Sequence, residues 1–230
     1  MTGSPRPQLP IWCLTGAIGA IAAVTWLAIG TSASPPPGDG PLWWGLLLLA
    51  FMIGHLVEVP IEYRGQLLSV GFTEVALVVG LGFFPPLWIL VASLVANAAA
   101  SIFRLHLPPL KLCFNLAVDA AATGAGVAIY LAIAGGSEVV QPLGWLGAYS
   151  ATLVVAVVSS ACVIGAIALY VGQLRLAPWT LGFRLAGTVV ATGVGLMAAV
   201  VIWVDWRGLW LVAGMFVTMA VAPDRASVKR

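Results

Sequence analysis

Long apolar runs, separated by short polar or proline-rich segments, recur along the whole chain. A helix that crosses a bilayer needs about 20 mostly apolar residues. The pattern predicts eight membrane helices, at residues 9–30, 42–59, 66–84, 87–103, 109–134, 143–171, 178–204 and 207–222. The breaks between them are typical of turns: TSASPPPGDGP follows the first helix, the pair Pro85 and Pro86 follows the third, and GGS ends the fifth.

The third predicted helix is the weakest of the eight. Its apolar part, residues 75–84, measures about 15 Å at helical rise, which is half of a bilayer. The preceding VPIEYRGQLLSVGFTE contains two glycines and alternates in polarity, which indicates extended chain. Two alternatives stay open. One is a re-entrant half helix near the cytoplasmic side, with Thr73 as N-cap and Glu74 in its first turn, which leaves seven spans. The other is a tilted span that begins at Gln66.

Composition makes the fold class plain. Of the 230 residues, 61% are hydrophobic and 8% are charged, and the mean hydropathy is +1.07. A soluble domain carries about 25% charged residues, so this chain lacks the polar surface to cover a soluble globule. We therefore predict an all-α, polytopic membrane helix bundle in which residues 1–230 form one transmembrane domain, with cytoplasmic tails at 1–8 and 223–230. The scattered basic residues argue against a nucleic-acid partner.

The basic residues also predict an orientation. With the N-terminus in the cytoplasm, nine of the ten fall on the cytoplasmic side and only Arg207 falls outside. The nine are Arg6, Arg64, Arg104, Lys111, Arg175, Arg184, Arg225, Lys229 and Arg230. Tryptophans cluster near the predicted outer ends, as an aromatic belt does. The expectation is a multi-pass protein of the cell inner (plasma) membrane with both termini in the cytoplasm.

Two polar stripes interrupt the apolar helices. Their members are spaced four residues apart, so each stripe occupies one face of its helix. They are Ser93, Asn97 and Ser101 on the fourth predicted helix, and Asn115, Asp119 and Thr123 on the fifth. Beside the first stripe, the alanines at 92, 96 and 100 favour close helix packing. An ionised carboxylate in hydrocarbon costs about 3 kcal/mol or more, so both stripes should face the bundle interior.

Asp119 has two interpretations. In the first, it lines a polar cavity and contacts a ligand or a proton. In the second, it bonds Asn97, another polar side chain or Arg104 on a neighbouring helix and fixes the bundle. Under the first interpretation, the candidate ligand-binding residues are Asn97, Asn115, Asp119, Thr123 and Glu74.

The sequence gives no support for catalysis or metal binding. His55 and Glu58 are three apart near the end of the second predicted helix, where an interfacial hydrogen bond suffices and a third metal ligand is missing. The motifs HExxH, GxSxG and Walker A are absent from the sequence. We expect no enzyme, no catalytic residue, no metal and no cofactor.

One segment resembles a known family. The run FTEVALVVGLGFFPPLWILVASLVANAAASIFRLHLPPLKLCFNLAVDAA opens a short apolar helix, turns at a proline pair and leads through a basic loop into a Phe-Asn-Leu-Ala helix. The matching positions are Thr73, Glu74, Pro85, Pro86, Pro109, Leu110, Lys111, Phe114, Asn115, Leu116 and Ala117. This run, with the later WVDWRGLWLV, resembles the N-terminal membrane region of actinobacterial cyclic-di-GMP signalling proteins. Those proteins carry cytoplasmic GGDEF, EAL or HD-GYP output domains.

The resemblance covers most of residues 40–222 and implies a membrane input module without catalytic activity. Such regions usually lead into an output domain, whereas this sequence ends at Arg230, so we expect a stand-alone relative or a fragment. The predicted role is a sensory or anchoring module that binds a small ligand in a polar intramembrane cavity and acts on a cytoplasmic output domain or partner protein. The alternative is a small-solute transporter, or its membrane substrate-binding subunit, supported by the broken third helix and Asp119.

Overall fold

The structure is a computed structural model that describes residues 9–30, 41–56, 58–63, 66–171, 178–208 and 214. These residues form seven α-helices and one β-hairpin. The helices are α1 (Leu9–Gly30), α2 (Pro41–Leu56), α3 (Thr73–Phe83), α4 (Pro86–Ala99), α5 (Pro109–Ala134), α6 (Pro142–Val171) and α7 (Pro178–Val204). The strands are β1 (Glu58–Tyr63) and β2 (Gln66–Gly71). A π-helical turn, Ala100–Arg104, continues α4, and a 3-10 turn, Trp206–Gly208, follows α7.

Five of these helices are long and apolar enough to cross a membrane: α1, α4 with its π-helical turn, α5, α6 and α7. The shorter apolar helices α2 and α3 do not reach that length. A helical membrane protein is therefore confirmed, while the count of eight spans and the side on which the termini lie stay predictions. The predicted helix at 207–222 falls mostly outside the described residues, and the tails at 1–8 and 223–230 fall wholly outside them.

The region around the third predicted helix differs from a plain span. β2 pairs with β1 in an antiparallel hairpin in which Glu58 lies opposite Gly71. A tilted helix from Gln66 is therefore wrong, and the predicted extended chain before the half helix is confirmed. The N-cap of α3 is Phe72, so the assignment of Thr73 as N-cap is also wrong, whereas Glu74 does lie in the first turn.

The hairpin itself is an addition to the all-α prediction, and α2 ends at Leu56 although the apolar pattern runs to Val59. Pro60 supplies a physical reason. The residue before a proline is disfavoured in helical conformation, and Pro60 itself cannot donate to a helix. Pairing as strands then satisfies the backbone groups of residues 58–63 and 66–71 themselves.

The half helix α3 packs in parallel along the second half of α7. Glu74 meets Thr188, and the ring of Phe83 lies 6.2 Å from that of Trp203, centroid to centroid. Between these contacts Gly195 allows close approach, because a Cβ there would lie 2.9 Å from Cβ of Val78. Thr188 is ten residues into α7, about 15 Å along its axis. The first turn of α3 thus begins inside the bundle, level with the middle of α7.

The alanine face of α4 packs as predicted. Ala92 and Ala96 are fully buried in a cluster with apolar residues of α2 and α3, among them Leu47 and Leu77. Small side chains let these helices approach closely. The polar stripe of α4 lies on a different face of the helix, and this face packs against α5. α5 in turn packs against α1 and α6, so the polar stripe of α5 lies in the interior of the bundle.

Candidate functional site

Asp119 is the centre of a polar cluster between α4 and α5. The Ser93 hydroxyl donates a hydrogen bond to Asp119 Oδ2 at 2.7 Å. The side chains of Asn97 and Thr123 also lie close to this carboxyl group. Asp119 is the eleventh residue of α5, about 15 Å along the axis from Pro109. The cluster therefore lies at membrane depth, and it joins two membrane-spanning helices.

Helical spacing and one further hydrogen bond position these groups. Ser93 and Asn97 are one turn apart on α4, so both reach the same carboxyl group on the antiparallel α5. The Ser101 hydroxyl donates to Asn97 Oδ1 at 3.1 Å. Because that oxygen accepts from Ser101, the Asn97 amide has its NH₂ group left to donate toward Asp119. Ser93, Ser101 and Thr123 are all buried.

Arg104 does not join the cluster, which corrects the expectation that it bonds Asp119. Its Nη1 donates instead to the carbonyl oxygens of His55 and Leu56, at 3.2 and 2.8 Å, and so caps the C-terminus of α2. In a regular helix Arg104 would share a face with Asn97. The π-helical turn at Ala100–Arg104 contains more residues per turn, which rotates Arg104 away from that face and toward α2.

Two other helices reach the cluster. His55 of α2 lies close enough to Asp119 for an electrostatic interaction. The prediction that Glu58 shares a helix face with His55 is wrong, because α2 ends before Glu58. On the other side, the indole Nε1 of Trp26 on α1 donates to the carbonyl oxygen of Ala120 at 2.9 Å, next to Asp119.

Gly124 makes the contact of Trp26 possible. A Cβ at Gly124 would lie 2.8 Å from the indole nitrogen, so a larger residue would displace the ring from Ala120. Trp26 itself is buried. This pair was not predicted from the sequence, where its signal is a tryptophan well inside an apolar helix, away from the predicted interfacial belt.

The structure brings together three of the five predicted ligand-binding residues: Asn97, Asp119 and Thr123. Asn115 is half-buried one turn before Asp119 and makes no side-chain hydrogen bond within the described part of the chain. Glu74 lies elsewhere, on α3. Ser93 was not among the predicted binding residues, although its place in the polar stripe of α4 marked it.

Glu74 belongs to a second polar region, between α3, α6 and α7. Its Oε1 accepts from the Thr188 hydroxyl at 3.5 Å and its Oε2 from the Thr73 hydroxyl at 3.3 Å. Further along α7 the Thr192 hydroxyl donates to the Thr152 hydroxyl of α6 at 2.7 Å. The polar stripe on α7 was not predicted from the sequence. Arg184, Thr188 and Thr192 have the same four-residue spacing as the stripe on α5.

The chemistry of the Asp119 cluster is that of exchangeable hydrogen bonds. Hydroxyl and amide groups both donate and accept, so they can reorganise around a proton or a small polar ligand at the carboxyl group. Among the described residues, no group of three or more His, Cys, Asp or Glu side chains is placed to hold a metal ion. In comparisons with known proteins, no family model, no curated protein and no solved structure matches the chain.

Proposed function

We propose that the chain is a membrane-embedded sensory or anchoring module of a bacterial signalling system, and that the Asp119 cluster is its responsive site. The observation that carries the proposal is the 2.7 Å hydrogen bond from Ser93 to Asp119. It joins α4 to α5 at membrane depth through a carboxyl group. A proton or ligand that competes for this carboxyl group changes the bond that holds the two helices together. Such a ligand shifts the helix arrangement only by binding the two arrangements with different affinity.

The contacts around the cluster supply a route by which a shift would spread. Trp26 links α1 to the residue after Asp119, and Arg104 links the end of α4 to the end of α2. A displacement of α4 against α5 therefore acts on α1 and α2 as well. Packed helices with two discrete arrangements are the elements that carry such coupling. The resemblance of residues 72–121 to the membrane regions of cyclic-di-GMP signalling proteins supports the same role.

The proposed setting is the bacterial inner membrane, with both termini in the cytoplasm. Its support is the bias of the basic residues, nine of ten on the cytoplasmic side in that layout. In this setting the ends of the chain reach a cytoplasmic output domain or partner protein. The role is non-catalytic: the module would pass a conformational change to a protein that performs the chemistry.

The test is a fusion of the full chain to a diguanylate cyclase output domain at its C-terminus. We expect Asp119→Asn to change the cyclic-di-GMP level by about fivefold or more at equal protein amount, as typical coupling energies predict. Asp205→Asn is the matched control, because Asp205 is an exposed acid beyond the end of α7. If the output of all three proteins tracks only their amount, the chain anchors a partner and senses nothing through Asp119.

A second candidate function is small-solute transport, favoured by α3. This half helix begins level with the middle of α7 and is preceded by extended chain. Transporters build midplane binding sites from such discontinuous helices. Proteoliposomes loaded with the purified chain would then take up a labelled solute, and Asp119→Asn would abolish the uptake. Uptake that is unchanged in Asp119→Asn removes Asp119 from the transport mechanism.

A further inference from the structure

Two opposite charges lie along α7, outside the hydrogen-bonded cluster of Asp119. Glu74 is in the first turn of α3, and Arg184 is in the second turn of α7. Glu74 accepts a hydrogen bond from Thr188, which is one helical turn after Arg184. Arg184 and the residue that binds Glu74 therefore lie on the same face of α7. They do not bond each other. Glu74 accepts from threonine hydroxyls, and Arg184 Nη2 donates to the Ser159 hydroxyl at 2.8 Å.

The guanidinium of Arg184 reaches α6 from a point about 9 Å along α7 from Pro178, near the cytoplasmic end of α7 in the proposed orientation. Its partner Ser159 is twelve residues before the end of α6, about 18 Å along the helix axis from Val171. α3 runs along α7 only from the level of Thr188 onward, and Arg184, which precedes this level, is exposed. The structure thus exposes a cation just beyond the N-terminal end of a half helix, where an acid occupies the first turn.

Neither charge is fully satisfied by the described contacts. A guanidinium has five N–H donors, and the described hydrogen bond of Arg184 uses one of them. The hydrogen bonds to Glu74 are long, at 3.3 and 3.5 Å. Charged side chains within a membrane protein are costly unless they meet an opposite charge or line a polar site. The Ser159 hydroxyl already donates to Val155 O at 2.7 Å, so its oxygen is oriented to accept from Arg184.

We propose that Glu74 and Arg184 form the two ends of a binding site for a small zwitterion of the amino-acid type. The ligand's carboxylate binds the Arg184 guanidinium, which suits the bidentate geometry of that pair, and its ammonium group binds Glu74. The hydroxyls of Thr188 and Ser159 complete the polar surroundings. A ligand with one charge would neutralise one end and leave the other uncompensated. The proposal does not depend on the role proposed for the Asp119 cluster.

The experiment measures ligand binding to the full chain in lipid nanodiscs by native mass spectrometry, with each standard L-amino acid added in turn. We expect saturable binding of at least one of them. Its amide, which keeps only the positive charge, and its deaminated acid, which keeps only the negative charge, should each bind about tenfold or more weakly. Saturable binding of none of the amino acids overturns the proposal, and so does an amide that binds as well as the parent amino acid.

Variants locate the site. Glu74→Gln and Arg184→Gln should each weaken binding of that amino acid about tenfold or more. Arg207→Gln should leave it unchanged, because Arg207 is an exposed arginine beyond the far end of α7. Arg184→Lys keeps the charge but loses the bidentate geometry, so its affinity should lie between those of the unchanged chain and Arg184→Gln. This variant also tests the site if Arg184→Gln does not fold. Binding that neither Glu74→Gln nor Arg184→Lys weakens places the ligand elsewhere and refutes the site.

Discussion

Apart from His55, the side chains around Asp119 are neutral, and they come from helix positions spaced four residues apart. Ser93 is the best defined of them, with a hydrogen bond of 2.7 Å. A hydrogen bond to a charged or chargeable group inside a protein contributes more than a bond between two neutral groups. The consequence at the scale of a single residue is that one hydroxyl carries a measurable share of the contact between α4 and α5.

Replacement of this hydroxyl gives a stability prediction. We expect Ser93→Ala to lower the free energy of unfolding by about 1–2 kcal/mol, because it leaves the Asp119 carboxyl group without its closest partner. The measurement is reversible unfolding in mixed micelles. Ser160→Ala is the control and should cost less than about 0.5 kcal/mol, since the Ser160 hydroxyl, though buried, donates only within its own helix, to Ala156 O at 2.6 Å. Equal losses in the two variants would contradict this account.

Residue spacing explains which site residues the sequence could predict. Asn97, Asp119 and Thr123 meet because regular helices place positions four apart on one face. Arg104 breaks that rule, since a π-helical turn intervenes and the sequence has no marker for it. Thr188 was beyond prediction for another reason: its partner Glu74 is 114 residues away, and no local pattern records which helices become neighbours.

Helices α1 and α5 pack through apolar contacts and through the hydrogen bond from Trp26 to Ala120. Ile18 packs against Phe114 near one end of the pair, and Val127 packs against Trp26 near the other. Apolar contacts hold the two helices together without fixing their relative position along the axis. The bond from Trp26 to Ala120 fixes it, and Gly124 leaves the space for the indole.

A methyl group at Gly124 should therefore disturb the pair. We expect Gly124→Ala to lower the free energy of unfolding by about 1–3 kcal/mol, because the new Cβ would lie 2.8 Å from the indole nitrogen and push it from Ala120. Gly165→Ala on α6 is the matched control. A Cβ there meets nothing within 4 Å, so this variant should be neutral or stabilising by up to about 1 kcal/mol. If Gly124→Ala unfolds like Gly165→Ala, the indole contact does not position α1.

The sequence predicts the start of α3 and the bounds of α5, but it does not predict the β-hairpin. The start of α3 follows from the change between alternating and continuous apolar residues around Thr73. The bounds of α5 follow from Pro109 at its first position and Gly135, in the left-handed conformation, at its C-cap. The pairing of β1 with β2 did not follow, because an apolar run up to Val59 fits a helix end as well as a strand.

Considered as a whole, the molecule presents apolar side chains outward along its long helices and keeps its polar stripes inside. Leu27, Val190 and Met197 are among the exposed apolar residues, and the Asp119 cluster lies between helices. This is the distribution expected when lipid, not water, is the solvent. The loop between α4 and α5 and the loop between α5 and α6 lie at opposite ends of α5, so they should lie on opposite sides of the membrane.

Cysteine labelling tests this arrangement and its proposed orientation. In a chain with Cys13, Cys113 and Cys162 replaced by alanine, single cysteines are introduced as Glu138→Cys and His106→Cys, both at exposed positions. An impermeant maleimide added to intact spheroplasts should label the first and should reach the second only after the membrane is opened. The reverse pattern would invert the proposed orientation. Labelling of both from outside would show that α5 does not cross the membrane.

The parallel packing of α3 on α7 also affects the order in which the protein is assembled. Val75, Ala76, Leu77 and Val78 of α3 are almost completely buried, yet Glu74 and its partner Thr188 are 114 residues apart. At synthesis rates of about 5–20 residues per second, α3 leaves the ribosome roughly 5–25 seconds before the helix that covers it. During that interval its α7-facing side must be shielded by lipid, by the insertion machinery or by α2 and α4. Nascent chains that stop before α7 should therefore be recognised by membrane quality control through an exposed half helix.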